Sequence, residues 1–131
     1  MIKVKDRKLL LLPGDGIGPE VTKQSIKVLK SLGKKFNHKI ELESGLVGAV
    51  AIDKYNDPYP DETHQVCLNS DAILFGAIGD PKYDNDPKAK VRPEQGLLKM
   101  RKKLGLYANL RPTKVFESLL EMSPILSLIH I

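Results

Sequence analysis

A short apolar run, Lys8–Leu12, stops at Pro13 and Gly14 and narrows the choice of fold more than any other segment. A run of this length that ends in turn-forming residues is typical of a strand buried on both faces of a parallel sheet. Pro19 and Glu20 then begin a helix, because proline suits the first helical turn and a carboxylate there meets the positive end of the helix dipole. A strand followed at once by a helix is the repeating unit of α/β folds.

The same alternation continues along the chain. Further strands are predicted at Lys39–Glu43, Ala72–Phe75 and Ala108–Val115. Helices are predicted at Asp61–Asn69 and Glu94–Leu104, with a helical turn at Phe116–Met122. The prolines of Gly45–Pro60 and Asp80–Pro93 indicate loops, the first with one helical turn at most. The sequence therefore predicts an α/β sheet whose parallel strands are joined by right-handed crossovers.

The first helix is expected to end at Gly33, because glycine commonly follows the last helical residue. Its apolar spacing predicts an inward face made by Val21, Ser25, Val28, Leu29 and Leu32.

Composition limits the class of protein. A chain of 131 residues is long enough for one domain, and 21 basic against 16 acidic residues give a net charge of +5. The basic residues gather at Lys3–Lys8, Lys34–Lys39 and Lys99–Lys103 with only Phe36 among them, so nucleic-acid binding is a weak alternative to solvated faces and anion-binding arginines. The single cysteine, Cys67, is expected to be a buried, inert thiol in a reducing compartment. No secretory leader or membrane-spanning run is recognisable, and the cytoplasm is the default location.

The Glu94–Leu104 helix carries the most specific pattern. Glu94, Leu97, Leu98 and Arg101 fall at i, i+3, i+4 and i+7, which places them on one stripe of the helix. Arg111 follows on a predicted strand. Two guanidinium groups can bind the two carboxylates of a small diacid, and two leucines can cover an aliphatic branch. The pattern predicts a site for a branched dicarboxylic acid.

Two loops that follow strands are candidates for a cofactor. Pro13–Gly18 has the spacing G-x-G-x-G, which differs from the G-x-G-x-x-G of a standard Rossmann loop and also fits a simple tight turn. Gly76–Asp84 lies at the carboxyl end of a strand, where open α/β sheets bind ligands. A group of acidic residues and one histidine lacks ligand spacing and predicts a polar loop without a metal: Asp53, Asp57, Asp61, Glu62 and His64.

Three segments, Leu12–Glu20, Gly76–Asp84 and Arg92–Pro112, agree in order and spacing with one family. From about Lys8 to Pro124 the chain resembles the isocitrate/isopropylmalate dehydrogenase family of decarboxylating β-hydroxyacid dehydrogenases. Two features depart from the family pattern. Asp80 stands where the family commonly has glycine, and residues 125–131 form an apolar, aggregation-prone tail.

The resemblance implies the N-terminal part of the isopropylmalate/isocitrate dehydrogenase fold, a parallel-rich sheet with flanking helices and not a standard Rossmann fold. Residues 1–124 would form an incomplete first domain and, near 100–124, the start of a second. The atypical apolar tail 125–131 would be either unrelated sequence or an artefactual end. Substrate contacts are expected from Arg101, Arg111, Glu94, Leu97 and Leu98. Contacts to NAD are expected from Gly14, Gly16, Ile17, Gly79, Asp80, Pro81, Lys82, Tyr83, Asp84 and Glu94.

The implied reaction is NAD-dependent oxidative decarboxylation of 3-isopropylmalate to 2-oxo-4-methylpentanoate in leucine biosynthesis, aided by Mg²⁺ or Mn²⁺ in a homodimer. The acid–base Tyr–Lys pair and the metal-binding aspartates of the family are expected from later sequence, so neither Tyr107 nor Lys114 is assigned to catalysis. Leucines at 97 and 98 favour an isopropyl group over the third carboxylate of isocitrate. The alternatives are a tartrate, homoisocitrate or isocitrate enzyme, or a fragment that binds ligands without turnover.

Overall fold

The computed structural model describes residues 6–85 and 89–112, together with residues 116, 118 and 122. Within these residues one parallel sheet has the strand order β2-β1-β3 and is built from β1 (Arg7–Gly14), β2 (Ile40–Ser44) and β3 (Ala72–Ala77). The helices are α1 (Gly18–Phe36), α2 (Ala49–Tyr55), α3 (Asp61–Leu68), α4 (Pro81–Asp84) and α5 (Pro93–Lys103). Across these described ranges, no helix is both long enough and apolar enough to span a bilayer.

Strand β1 is the centre of the sheet. Leu10 and Leu12 are fully buried on one face and Leu11 is almost fully buried on the other, as alternation along a strand requires. Leu9 lies opposite Leu42 of β2 and opposite Ala72 of β3, both in parallel register. The prediction of a strand buried on both faces and flanked by parallel neighbours is confirmed.

The main core lies on the face of β1 that carries Leu10 and Leu12. These leucines pack with Val47, Tyr59, Cys67 and Met100. Met100 comes from α5 and Cys67 from α3, so the cluster fixes both helices against the sheet. Burial raises the pKa of the Cys67 thiol, which agrees with the expected inert cysteine.

Helix α1 lies on the opposite face of the sheet. The Thr22 hydroxyl lies 3.0 Å from the position that a Cβ on Gly76 would take, and Gly76 shares its face with Leu11 by strand alternation. The predicted end at Gly33 is wrong: Gly33 is buried inside the helix against the His38 carbonyl, and α1 continues to Phe36. Asn37 ends it with a left-handed φ of 54°.

Only two of the five residues predicted on the inward face of α1, Ser25 and Leu29, are partly buried. The most buried positions of the helix are Gly18, Thr22 and Gly33. Apolar residues form a row that faces away from the sheet: Ile17, Val21, Val28, Leu32 and Phe36, each exposed by 43–58%. The helix approaches the sheet through its small residues, so apolar spacing alone indicated the wrong stripe.

Two predicted loops contain helices. Gly45–Pro60 includes α2, and Asp80–Pro93 includes α4. The predicted strand Ala108–Val115 is wrong for residues 108–112, which are irregular and exposed, while residues 113–115 lie outside the described residues. Most of the predicted turn Phe116–Met122 and the whole tail 125–131 also lie outside them.

Helix α5 agrees with its prediction and is held tightly. Lys99 pairs with Asp57 at 2.5 Å and Lys103 with Asp61 at 2.6 Å, so two ion pairs join α5 to the segment around α3. Gly96 lies against the backbone of Pro58. Beyond the helix, Gly105 N–H donates to Lys102 and Leu106 N–H donates to Arg101, which turns the chain away in a Schellman pattern.

We expect Gly96→Ala to destabilise the protein although alanine is the better helix former. A Cβ at this position would lie 2.5 Å from the Pro58 carbonyl oxygen, which is backbone and cannot rotate away. Overpacking costs about 1–3 kcal/mol and the gain in helix propensity offsets up to about 1 kcal/mol, so we expect a net loss of about 1–2 kcal/mol. Urea unfolding measures the change; exposed Lys102→Ala is the control, and an unchanged or higher stability of Gly96→Ala would contradict this packing.

Candidate functional site

The carboxyl ends of β1 and β3 meet at one edge of the sheet. Gly14 is the register partner of Ala77, and a Cβ on Gly14 would overlap the Ala77 carbonyl oxygen. Only a residue without a side chain lets the two strand ends approach this closely. The loops that follow, 15–17 after β1 and 78–80 after β3, therefore lie side by side.

Three predicted cofactor glycines and Glu94 converge at this edge. A Cβ on Gly16 would lie 3.9 Å from the Gly79 carbonyl oxygen, and a Cβ on Gly79 would lie 3.3 Å from Glu94 Oε1. Gly79 has a φ of 132°, which disfavours any other residue. Ile17, beside them at the start of α1, is 57% exposed. Residues from β1, β3 and the first turn of α5 thus form one exposed rim lined by backbone.

Asp15, between two of these glycines, is a structural residue that the sequence analysis missed. Its carboxylate is buried and accepts hydrogen bonds from Ala49 N–H at 2.8 Å, Val50 N–H at 3.0 Å and Gly79 N–H at 3.1 Å. The available signal was an acidic residue inside a glycine loop directly after a buried strand. Such a carboxylate has to find donors, but the sequence does not show which ones.

Helix α4 presents the predicted cofactor residues 80–84. Asp80 has an extended backbone, with φ −142°, and its side chain accepts from Lys82 N–H at 3.0 Å. The aspartate therefore acts as the N-cap of α4, and an aspartate is accommodated where the family commonly has glycine because Gly79 adopts the positive φ of the turn. Pro81 occupies the first turn of α4, and Asp84 lies 3.6 Å from Arg92.

The polar groups of Lys82 and Tyr83 are bound to Asp53 of α2. Lys82 Nζ lies 2.5 Å from one carboxylate oxygen of Asp53, and Tyr83 OH donates to the other at 2.8 Å. These bonds, first from Lys82 and then from Tyr83, lower the pKa of Asp53, while Asp53 raises the pKa of Lys82. Burial and then Asp53 raise the pKa of Tyr83. At neutral pH all three groups keep the protonation states that join α2 to α4.

The stripe of Glu94, Leu97, Leu98 and Arg101 on α5 lies partly in the core and partly on the surface. Leu97 is partly buried and packs against the main core, whereas Leu98 is 63% exposed. Arg101 is partly exposed and forms no ion pair within residues 6–85 and 89–112. The nearby lysines 99 and 103 both have aspartate partners. Within the described structure, the stripe from Glu94 to Arg101 therefore includes a guanidinium group that remains available to an external anion.

Arg111 lies in the exposed, irregular segment after α5. The prediction that Arg111 lies on a strand is therefore wrong. Like Arg101, it has no acidic partner in the described part of the chain. The two-arginine clamp stays a prediction, as do the contacts assigned to NAD.

The acidic residues around α2 and α3 are bound to other protein groups. Asp53 binds Lys82, Asp57 binds Lys99 and Asp61 binds Lys103. In the part of the chain that the structure covers, no three His, Cys, Asp or Glu side chains are grouped so that they could hold a metal ion. The described residues therefore do not fit a Mg²⁺ or Mn²⁺ site by themselves.

We expect acid to weaken the interaction of Asp53 with Lys82 and Tyr83, which joins α2 to α4. The pKa of Asp53 is lowered below 3.8 in the folded chain, so its stabilising contribution is present above that value and is lost as the pH falls through the folded pKa. Asp53→Asn should be less stable than the parent at neutral pH, and the difference should shrink below about pH 3.8. Urea unfolding at several pH values measures this difference in stability. Tyr83→Phe removes only the hydroxyl that donates to Asp53, so as a control it should give an intermediate loss of stability. A difference that stays constant or grows in acid would show that Asp53 does not act through its charge.

Comparison with known proteins agrees with this geometry. The family model described as "Isocitrate/isopropylmalate dehydrogenase" matches residues 8–130. A 3-isopropylmalate dehydrogenase from Bacteroides fragilis is 58% identical over 120 residues, which cover 92% of this chain and 34% of that protein. The Bacillus subtilis 3-isopropylmalate dehydrogenase is 56% identical over 119 residues, covering 91% and 32%. The chain spans about a third of the length of these relatives.

Solved structures of the same type share the fold. A β-decarboxylating dehydrogenase from Thermococcus kodakarensis matches with a TM-score of 0.60 at 32% identity, covering 77% of this chain and 27% of that one. An isocitrate dehydrogenase from Methylococcus capsulatus matches with a TM-score of 0.58 at 26% identity, covering 77% and 26%. With a family match over almost the whole sequence and a parallel α/β sheet that these enzymes share, the chain belongs to the isocitrate/isopropylmalate dehydrogenase family.

Proposed function

We propose that this chain forms the substrate-binding helix and part of the cofactor wall of an enzyme that oxidises and decarboxylates 3-isopropylmalate with NAD, giving 2-oxo-4-methylpentanoate in leucine biosynthesis. The observation that carries the proposal is the course of α5. Its first turn brings Glu94 to the glycine rim at Gly79, and its last turn presents Arg101 without an ion pair in the described ranges. One helix therefore connects a backbone-lined cofactor rim to an anion-binding group.

The substrate would be bound at both of its acidic ends. Arg101 and Arg111 each offer a planar fork of N–H donors that matches a carboxylate in a two-pronged hydrogen bond. Arg101 is held on a helix that two lysine–aspartate pairs anchor, so its backbone is already ordered and only side-chain freedom is lost when it binds. Arg111 lies in the exposed segment after the helix and would be ordered by the second carboxylate.

The alkyl branch would lie on the leucines between these charges. Leu98, which is 63% exposed, is the apolar surface that a bound isopropyl group would cover, and Leu97 supports it from the core. Glu94 on the same stripe would repel a third carboxylate. Apolar pockets discriminate by roughly 1–3 kcal/mol per methylene group, which favours isopropylmalate over isocitrate, homoisocitrate and tartrate.

We assign the dinucleotide contact to the glycine rim because Gly16 and Ile17 are exposed there, at the carboxyl end of β1. The glycines at 14, 16 and 79 let the loops of the rim pack closely on one another, since each added Cβ would project toward a backbone or carboxylate oxygen of the rim. NAD, when bound, would supply the acceptor for the hydride that leaves the hydroxyl-bearing carbon. The role of this chain would be to position the cofactor and to orient the diacid beside it.

A complete enzyme requires more than the described residues provide. They contain no cluster of three His, Cys, Asp or Glu side chains that could hold the divalent cation, and by resemblance the acid–base pair is expected from residues beyond those described. We therefore propose that the 131-residue chain has no turnover by itself. From the resemblance, we propose that the complete enzyme is a cytoplasmic homodimer. Alone, the chain would retain only a partial binding surface.

We expect no hydride transfer from the purified chain with isopropylmalate, NAD and Mg²⁺, measured by NADH absorbance. A chimera in which residues 8–112 replace the matching segment of the Bacillus subtilis relative should turn over, because it joins this surface to the missing groups. Across isopropylmalate, tartrate, homoisocitrate and isocitrate, its kcat/KM should be highest for isopropylmalate. Turnover by the isolated chain, or a preference for another diacid, would refute the corresponding part of the proposal.

In the same chimera, Arg101→Lys and Arg111→Lys should each lower kcat/KM for isopropylmalate by roughly 10- to 100-fold. The reason is the loss of a charge-assisted, two-pronged hydrogen bond, which contributes roughly 1.5–3 kcal/mol, although the positive charge remains. Lys102→Arg, a reverse exchange at an exposed neighbour of Arg101, is the matched control and should leave kcat/KM unchanged. Undiminished kcat/KM in either arginine variant would count against the clamp.

A further inference from the structure

The carboxylate of Asp15 joins three segments that are distant in sequence. Asp15 lies in the loop after β1, and it accepts N–H bonds from Ala49 and Val50 at the start of α2 and from Gly79 after β3. Its own main chain adds two more bonds, since Asp15 N–H donates to Ala77 at 2.8 Å and Gly18 N–H donates to the Asp15 carbonyl at 2.8 Å. The two glycine loops are thus connected through both the side chain and the backbone of one residue.

The surroundings of this carboxylate leave no room for another ligand. Asp15 is only 3% exposed, and a Cβ on Gly48 would overlap its Oδ2. Gly48 also has a φ of 83°, which glycine adopts without strain. The α2 segment is shaped around the carboxylate, so Asp15 cannot itself contact a cofactor that binds on the exposed rim.

Helix α2 extends this connection to α4. Asp15 binds the first two N–H groups of α2, and Asp53 on the same helix binds Lys82 and Tyr83 of α4. The segment from Gly79 to Asp84 is therefore held at two points, directly by Asp15 at Gly79 and indirectly through α2. Of these, only the bond to Gly79 fixes the residue that lies against Glu94.

We propose that Asp15 is the positioning residue of the dinucleotide site: it holds the Gly14–Ile17 loop and the Gly79 turn at the separation that the cofactor requires. The proposal rests on the proposed function only for the identity of the ligand. A carboxylate is suited to this role because one oxygen can accept from two N–H groups while the other accepts from a third. An asparagine of the same shape would turn an NH₂ group toward at least one of the three donors.

The test compares amide hydrogen exchange and NAD binding in the full 131-residue chain and its Asp15→Asn variant. By NMR, the amides of Ala49, Val50 and Gly79 should exchange about tenfold faster or more in the variant, whereas those of Leu10 and Leu12 in β1 should change little. In an NAD titration that follows the Gly79 amide, the variant should need roughly tenfold more NAD. Asp6→Asn, which alters an exposed carboxylate at the opposite end of β1 from Asp15, should change neither readout.

Two further variants separate positioning from general stability. Asp53→Asn should release Lys82 and Tyr83 but leave the exchange of Ala49 and Val50 unchanged. Gly48→Ala disturbs the same carboxylate from the α2 side and should reproduce the exchange pattern if Asp15→Asn does not fold. Unchanged exchange at Gly79, or an equal increase at all amides including Leu10 and Leu12, would overturn the proposal. If the parent chain fails to bind NAD while Asp15→Asn still shows the local exchange pattern, the cofactor assignment is refuted and positioning of the two loops by Asp15 is supported.

Discussion

Burial of β1 on both faces is the constraint from which the rest of the structure follows. Four consecutive leucines make this strand too apolar for a sheet edge, so β2 and β3 pair on either side and helices cover both faces. Because all three strands are parallel, β1 and β3 end at the same edge, which brings their glycine loops together, and Asp15 then bonds one loop to the other. The position of the candidate site therefore follows from strand direction, and the surrounding side chains set its detailed geometry.

The elements that sequence predicted well are those whose signals are local. The leucine run of β1, the helix α3 that begins with acidic residues directly after Pro60 and the periodic helix α5 each carry their pattern within a dozen residues, and all three predictions are confirmed. Short α2 was missed because the acceptor that holds its first N–H groups lies 34 residues earlier in the chain. The strand expected at 108–115 failed over 108–112, where the structure shows no neighbouring strand in the described residues.

Within the site, the placement of residues along one helix could be predicted better than contacts between different elements. The spacing of Glu94, Leu97, Leu98 and Arg101 required only that α5 be a helix, and Glu94 does lie against Gly79. By contrast, the bonds of Lys82 and Tyr83 to Asp53 depend on tertiary packing between α2 and α4. The inward stripe of α1 shows the same limit, since contact through glycine and threonine gives no apolar signal.

The single thiol of Cys67 can report on opening of the buried core. It lies on α3 in the same buried cluster as Tyr59 and Met100, and burial raises the pKa of the thiol, which makes it a poor nucleophile. Reaction with an alkylating reagent has to wait until this cluster opens. Because Met100 of α5 belongs to the same cluster, the rate of that modification measures how often the core that supports α5 opens, without any dye or substituted residue.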